Sequence, residues 1–273
     1  MGLSTVLGIK CQGFFIPYRY AERVPEHEDR LPYTYIEKLF DNSRSIFKEQ
    51  IALISKYTDE LRYIGPDHPP QPRWNQDWFP ALDAAIAYAM VRHHAPKNIV
   101  EVGSGHSTRF MARAVADGLL DTQITTIDPA PRAVIEGLNV ETVNTTVQNV
   151  DSQFFGLLAP GDILFIDSSH IIMPGTDVDY LLNQILAQLS AGIIVHLHDI
   201  FLPDDYPKSW QWRGYNEQLA VATLLQGGGF DVLFPSHYVA TRMGESLQGT
   251  ILNELERPNS LFETSLWIKK LSD

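Results

Sequence analysis

The feature that most constrains this chain is a buried-looking strand that ends in glycine. Asn98-Ile99-Val100-Glu101-Val102 passes through Gly103-Ser104-Gly105 into a stretch with Phe110, Met111, Ala114 and Val115 at helical spacing. Two glycines at a strand-to-helix turn let backbone approach a ligand closely. Ser107 or Thr108 is placed to cap the helix, and Gly118 to close it.

The same alternation runs on from Trp78. Pro80 suits the first turn of a helix that continues through Met90 and ends near His93. After the glycine turn come strands at 123–128, 143–150 and 162–167, with a short helix after Pro131. A helix with Val178, Leu181, Leu182, Ile185, Leu186 and Leu189 on one face follows, with Thr176 and Asp179 as its capping box and Gly192 as its stop. A strand at 193–198, a helix at 216–225, the Gly227-Gly228-Gly229 turn and strands at 230–234 and 265–269 complete the series. The pattern predicts an α/β, doubly wound, mostly parallel seven-stranded sheet. Its last two strands, joined without a clear helix, predict an antiparallel finish. Ligands in such a sheet gather at the carboxyl ends of the strands.

Residues 1–75 differ in texture and are expected to form a helical N-terminal extension to a domain at 76–273. One amphipathic helix stands out there, with Ile46, Phe47, Ile51, Ile54, Tyr57 and Leu61 on one face, before the proline-rich stretch 65–72 breaks it. A chain of 273 residues suits one such domain with this addition. The 21 Lys and Arg against 33 Asp and Glu give a formal charge of −12, which opposes binding to nucleic acid or an anionic membrane. Cys11 is the only cysteine, the start lacks a basic leader, and no stretch is apolar enough to span a bilayer, so the chain reads as soluble and cytoplasmic. The expected partner is a small-molecule acceptor, with no nucleic acid and no membrane; association into a homo-oligomer is left open.

The glycine turn gains meaning from its carboxylates. Glu101 stands two residues before Gly103, and Asp128 ends the next strand, where a carboxylate can accept both hydroxyls of a ribose. A dinucleotide fingerprint would need a small residue where Thr108 stands, so a nicotinamide-dependent oxidoreductase is the weaker reading. In this combination the chain resembles the class I S-adenosylmethionine-dependent methyltransferases, with their Rossmann-like fold and Glu-x-Gly-x-Gly motif. Ile166-Asp167-Ser168-Ser169-His170, the run 195–201 with Tyr206-Pro207, and Tyr215-Asn216-Glu217-Gln218 extend the likeness. They are similar to a bacterial group of cephalosporin-type and small-molecule O-methyltransferases, methyltransferase family 24-like, over roughly residues 78 to 250.

The resemblance implies S-adenosylmethionine as cofactor, held by Glu101, Gly103, Ser104, Gly105, Ser107, Asp128, Asn149 and Asp167. Asn149 falls where the family binds adenine; the alternative is a turn in which Asp151 caps a helix at 152–158. Asp167 and Asp199 end neighbouring strands and can meet over the transferable methyl group. In catechol-type relatives such acids bind magnesium, so a divalent metal on Asp167, His198 and Asp199 is one reading. Metal-free general-base catalysis by His170 or His198 is another, and purely structural histidines a third. Asp167, His170, His198 and Asp199 are thus the catalytic candidates. His196, deeper on the same strand face, reads as a core residue, and His106 as shaping the glycine loop.

The aromatic stretch 204–213 reads as a substrate lid, with Trp210, Trp212 and Tyr215 on one wall and Trp74, Trp78 and Phe79 on the other; packing against the N-terminal extension is the competing reading. Arg213 suits an anionic group of the acceptor or a surface ion pair. The expected reaction is O-methylation of a small-molecule hydroxyl. N-methylation and a cofactor-binding protein without catalysis are the alternatives.

Overall fold

The computed structural model describes residues 2–255, 258 and 261–272. The chain divides into two compact units, Met1–Leu31 and Pro32–Asp273. In the first, a short helix at Gly2–Val6 is followed by 3-10 turns at Ala21–Arg23 and His27–Asp29. The guanidiniums of Arg19 and Arg23 lie over the Tyr20 ring.

Strand order defines the second unit: seven strands run β3-β2-β1-β4-β5-β7-β6 in one sheet. They are β1 (Asn98–Val102), β2 (Gln123–Ile127), β3 (Glu141–Val143), β4 (Ile163–Ile166), β5 (Ile194–Leu197), β6 (Phe230–Pro235) and β7 (Leu266–Lys270). The first five are parallel. β7 inserts antiparallel between β5 and β6, so the antiparallel finish belongs to β7 alone. β1, β4 and β5 lie at the centre and are buried almost throughout, which matches their unbroken apolar runs.

Three helices precede the sheet: α1 (Thr34–Asn42), α2 (Arg44–Lys56) and α3 (Thr58–Arg62). Phe47, Ile51, Ile54 and Leu61, read as one apolar face, are buried as expected, with Ile46 and Tyr57 packed at the margin. They share a core with α4 (Ala81–His94), whose residues 81–91 are buried and which packs against α2 and the helix His106–Asp117. Pro80 is the residue before α4 rather than its first turn, and Ala95 closes the helix in a left-handed conformation.

α5 (His106–Asp117) follows the glycine turn, and α6 opens at Asp177–Tyr180, widens through a π turn at Leu181–Ile185 and ends at Leu186–Gln188. The Thr176 hydroxyl accepts from the Asp179 N–H at 3.4 Å, but the Asp179 carboxylate accepts from the Gly175 N–H, so only half of the expected box forms. α7 (Glu217–Gln226) precedes β6. Between β6 and β7, where no helix was expected, α8 (Ser236–Arg242) buries Tyr238 and Val239. Its seven residues are too few to carry a helical period in the sequence.

β3 is also displaced. Its pairing with β2 stops at Val143, where the expected strand begins. The Thr145 N–H bonds back to the Val143 carbonyl, and the Asn149 N–H to that of Thr146, which turns the chain over the sheet end. Among the described residues no helix is long and apolar enough to cross a membrane.

Candidate active site

The glycine turn is built by close packing against the next crossover. Gly103 has φ +83°, and a Cβ there would sit 1.8 Å from the carbonyl oxygen of Asp167, so no side chain fits. This approach lets the Asp167 N–H donate to the Val102 carbonyl at 2.9 Å, locking the ends of β1 and β4 together. Gly105 meets only ordinary contacts at that position.

Glu101 lies beneath the turn, fully buried. The Ser107 and Thr108 hydroxyls each donate to it at 2.6 Å, and the Gly105 N–H donates to the Thr108 hydroxyl at 3.0 Å. Ser107 and Thr108 therefore act from inside α5 rather than as its cap, which falls on Gly105. Burial pushes the Glu101 carboxyl up to about 8, against those two hydrogen bonds. Glu101 and Ser107 thus hold the turn together from behind.

Above the turn a cavity of about 420 Å³ opens at the carboxyl ends of β1, β2 and β4. Gly103, Ser104, Asp128, Asp167, Arg132 and Gln148 are among its lining residues. One Asp128 oxygen accepts from the Ser104 N–H at 2.7 Å and hydroxyl at 3.0 Å, the other from the Ala130 N–H at 2.7 Å. These bonds use three of the about four acceptor sites of this carboxylate, which lines the cavity. Asn149 is not in that wall. Its amide donates to the hydroxyls of Thr145 and Thr146, and the 3-10 turn presents Thr146, Val147 and Gln148 to the cavity instead. The Asp151 side chain caps the following turn by accepting from the Gln153 N–H.

A second cavity, about 310 Å³, lies beside the first. Asp167, His198, Asp199, Trp78, Trp210 and Arg213 line it together with Arg132, Phe262 and others. Asp167 and Arg132 belong to both. Of the aromatic walls expected from the sequence, Trp78 and Trp210 face this space. Trp74 and Phe79 are buried against Phe110, and Trp212 is 82% exposed. Tyr215 leans on the His170 ring, with centroids 4.6 Å apart.

The acids and histidines converge behind this second cavity. The His170 Nε2 lies 3.3 Å from an oxygen of Asp167 and 3.3 Å from one of Asp199, while its Nδ1 meets Glu217 at 2.9 Å. Burial alone would hold this imidazole neutral, but Asp199, Asp167 and Glu217 override it and raise its pKa well above the ordinary 6.5. Three carboxylates around the buried ring thus favour the protonated form of His170. Burial opposes the ionised form of Asp167 too, but His198 and His170 hold its carboxyl well below the usual range. Both His170 (φ +60°) and Asp199 (φ +56°) adopt left-handed backbone, which costs side-chain-bearing residues about 1–3 kcal/mol and concentrates at working sites.

His198 presents its Nε2 to the Trp78 carbonyl at 3.3 Å and stands 3.7 Å from Asp199. Burial lowers its pKa, but Asp167, Asp199 and Asp83 together raise it above the ordinary value. Asp167, His198 and Asp199 do not form the expected metal nest, because the His170 imidazole fills the space on which the two carboxylates converge. Among the described residues no group of three or more His, Cys, Asp or Glu side chains is arranged to hold a metal. His196 is a core residue as expected, stacked on Phe165 at 3.6 Å and bonded to the Ser265 hydroxyl.

Glu217 is the member of the cluster to which the sequence assigned no role. The first residues of α7 clamp the His170 loop: the Asn216 and Glu217 N–H groups both donate to the His170 carbonyl, and the Asn216 side chain bridges Ile172. The signal was present, since Tyr215-Asn216-Glu217-Gln218 stood out by likeness without a chemical role.

Residues 100–200 match the family described as a methyltransferase domain. A relative from Archaeoglobus fulgidus, described only as an uncharacterized protein, is 30% identical over 119 residues, 40% of this chain and 54% of that one. The chain thus spans about half the length of the relative it matches. Among solved structures, the SAH-bound methyltransferase PaMTH1 of Podospora anserina overlaps 94% of this chain and 99% of its own at 18% identity, with a TM-score of 0.44. The O-methyltransferase TomG of Streptomyces achromogenes, solved with SAM, overlaps 89% and 100% at 14% identity and 0.44. A branched-chain polyamine synthase of Thermus thermophilus overlaps 82% and 65% at 13% identity and 0.43. The matched segment runs from β1 to the end of β5 and includes the glycine turn, Asp128, Asp167 and Asp199.

Proposed function

We propose that this chain is an S-adenosylmethionine-dependent methyltransferase that modifies a hydroxyl of a small-molecule acceptor. The observation that carries the reading is the junction of the two cavities, where Asp167 borders a nucleoside-sized space on one side and an aromatic-walled space on the other. The first space suits the cofactor. The Gly103 cradle excludes any Cβ, Asp128 keeps an acceptor site for a ribose hydroxyl, and Thr146, Val147 and Gln148 offer a wall for adenine. When bound, S-adenosylmethionine supplies an electrophilic methyl group on a sulfonium centre.

The chain's own residues do the rest. Asp167, kept ionised, places negative charge where the two spaces meet. Asp199 faces the acceptor space, can receive the hydrogen bond of an incoming hydroxyl, and takes its proton as the oxygen reacts, with His198 beside it. His170 does not serve as the base, because three carboxylates favour its protonated form, with Glu217 at Nδ1 and Asp167 and Asp199 at Nε2. It holds Asp167 and Asp199 in convergence and offsets their repulsion. The residues do not fit a divalent metal as arranged, and no step uses one.

Calorimetry with S-adenosylhomocysteine, followed by transfer of labelled methyl to a panel of hydroxylated acceptors, tests the assignment. Asp199→Asn should lower turnover at least about 100-fold while cofactor affinity stays within about 3-fold. Absence of heat with either form of the cofactor, or unchanged turnover in the variant, overturns the corresponding part.

A further inference from the structure

Arg213 projects from the 3-10 turn at Lys208–Arg213, which follows β5 over the acceptor cavity. Its guanidinium carbon stands 4.0 Å from the Trp210 ring centroid, 5.4 Å from Tyr215 and 5.5 Å from Trp212. Aromatic rings crowd the group, and among the described residues its only side-chain hydrogen bond runs from Nη1 to the Tyr215 hydroxyl at 3.2 Å. The Nε is buried and donates to none of them.

Most other arginines of the unit are ion-paired, the buried Arg109 bonding a backbone carbonyl instead. Arg44, Arg62, Arg73, Arg92, Arg113 and Arg242 each sit on a carboxylate. Among the described residues Arg213 has no acid within ion-pair distance, in a chain of net charge −12 where acids are plentiful. Asp77 shares the cavity lining but is exposed and makes no ion contact with Arg213. Arg132, a second guanidinium on the cavity wall, lies 5.0 Å over the Trp78 ring and makes no close ion pair among the described residues, though its charge helps keep Asp167 ionised. A partly desolvated guanidinium is costly without a counter-charge, and its flat fork of donors matches a carboxylate.

We propose that the acceptor is an aromatic hydroxy acid. Its carboxylate pairs with the Arg213 fork, its ring lies between the Trp78 and Trp210 walls, and its hydroxyl faces Asp199 and His198. A cavity of about 310 Å³ suits one or two fused rings. The proposal rests on the methyltransferase reading and narrows its substrate class.

The test is calorimetry on the full chain saturated with S-adenosylhomocysteine. Hydroxybenzoate, hydroxycinnamate and hydroxyquinoline carboxylate are each titrated against the matching primary amide. At least one acid should bind about 10-fold or more tighter than its amide, and Arg213→Gln should bring the two together. Arg213→Lys keeps the charge without the fork; it should cut the acid preference at least about 3-fold, and it carries the test if the Gln variant does not fold. Equal binding of acids and amides across the panel, no binding of any acid, or a preference that survives both substitutions overturns the proposal. Heat from S-adenosylhomocysteine is read separately, so loss of the acid preference sinks the acceptor class, whereas loss of cofactor heat sinks the methyltransferase reading.

Discussion

At position 103 the constraint is purely steric. A methyl group there would lie 1.8 Å from the Asp167 carbonyl oxygen, on backbone whose φ of +83° already disfavours a side chain. The clash is with backbone, so a rotamer change cannot relieve it. The β1 and β4 ends would have to part, breaking the 2.9 Å bond from the Asp167 N–H to Val102. Gly103→Ala should therefore cost about 3 kcal/mol or more in thermal or urea unfolding and abolish detectable binding of S-adenosylhomocysteine. Binding within a few-fold of wild type would mean that the turn does not cradle the cofactor. Gly105 provides the control, because its Cβ would meet nothing closer than 3.7 Å. The two glycines look alike in the sequence, and only the position of the next crossover separates them.

The element on which the proposed chemistry rests is the loop after β4, held in place by the start of α7. His170 sits there in left-handed backbone, with Glu217 on one ring nitrogen and two carboxylates at the other. A histidine whose folded pKa is raised contributes stability that is complete below its unfolded value of 6.5 and fades as pH rises through the folded one. Glu217→Gln removes one of the groups that raise it, so the alkaline loss of stability should begin at lower pH than in the wild type. Turnover should also fall about 10-fold or more, and cofactor affinity should hold. Melting curves that shift equally at every pH would reduce Glu217 to a packing role. Much of this element was legible: β1, β2, β4 and β5 follow from apolar runs bounded by turn residues, and Asp167 and Asp199 from their ends. The Glu217 contact was not, because 47 residues of chain separate the partners and no local period records it. The placement of Asn149 outside the cavity wall was not legible for a related reason, since an edge strand of three residues has no pattern strong enough to set its register.

At the scale of the molecule the open matter is where the functional domain begins. Sequence texture changes near residue 75, whereas compactness divides the chain between Leu31 and Pro32. We propose that the domain begins at Pro32, since all residues lining the two cavities of the active site lie beyond it. The Tyr33 N–H, at the entry to α1, donates to the Pro203 carbonyl at 2.8 Å. Helices α1 to α3 also bury Ile36, Phe40, Phe47, Ile51, Ile54 and Leu61 in the common core, with Phe47 edge-on to both Phe234 and Tyr238. Each such side chain contributes about 1.5–3 kcal/mol, so losing the set removes an amount comparable to the roughly 5–15 kcal/mol that holds a domain folded. A chain starting at residue 32 should unfold cooperatively and bind S-adenosylhomocysteine as the full chain does, and one starting at residue 76 should aggregate. Soluble, cofactor-binding protein from the shorter of these two chains would place the boundary at the change in texture, and loss of binding in the longer one would bring residues 1–31 into the working domain.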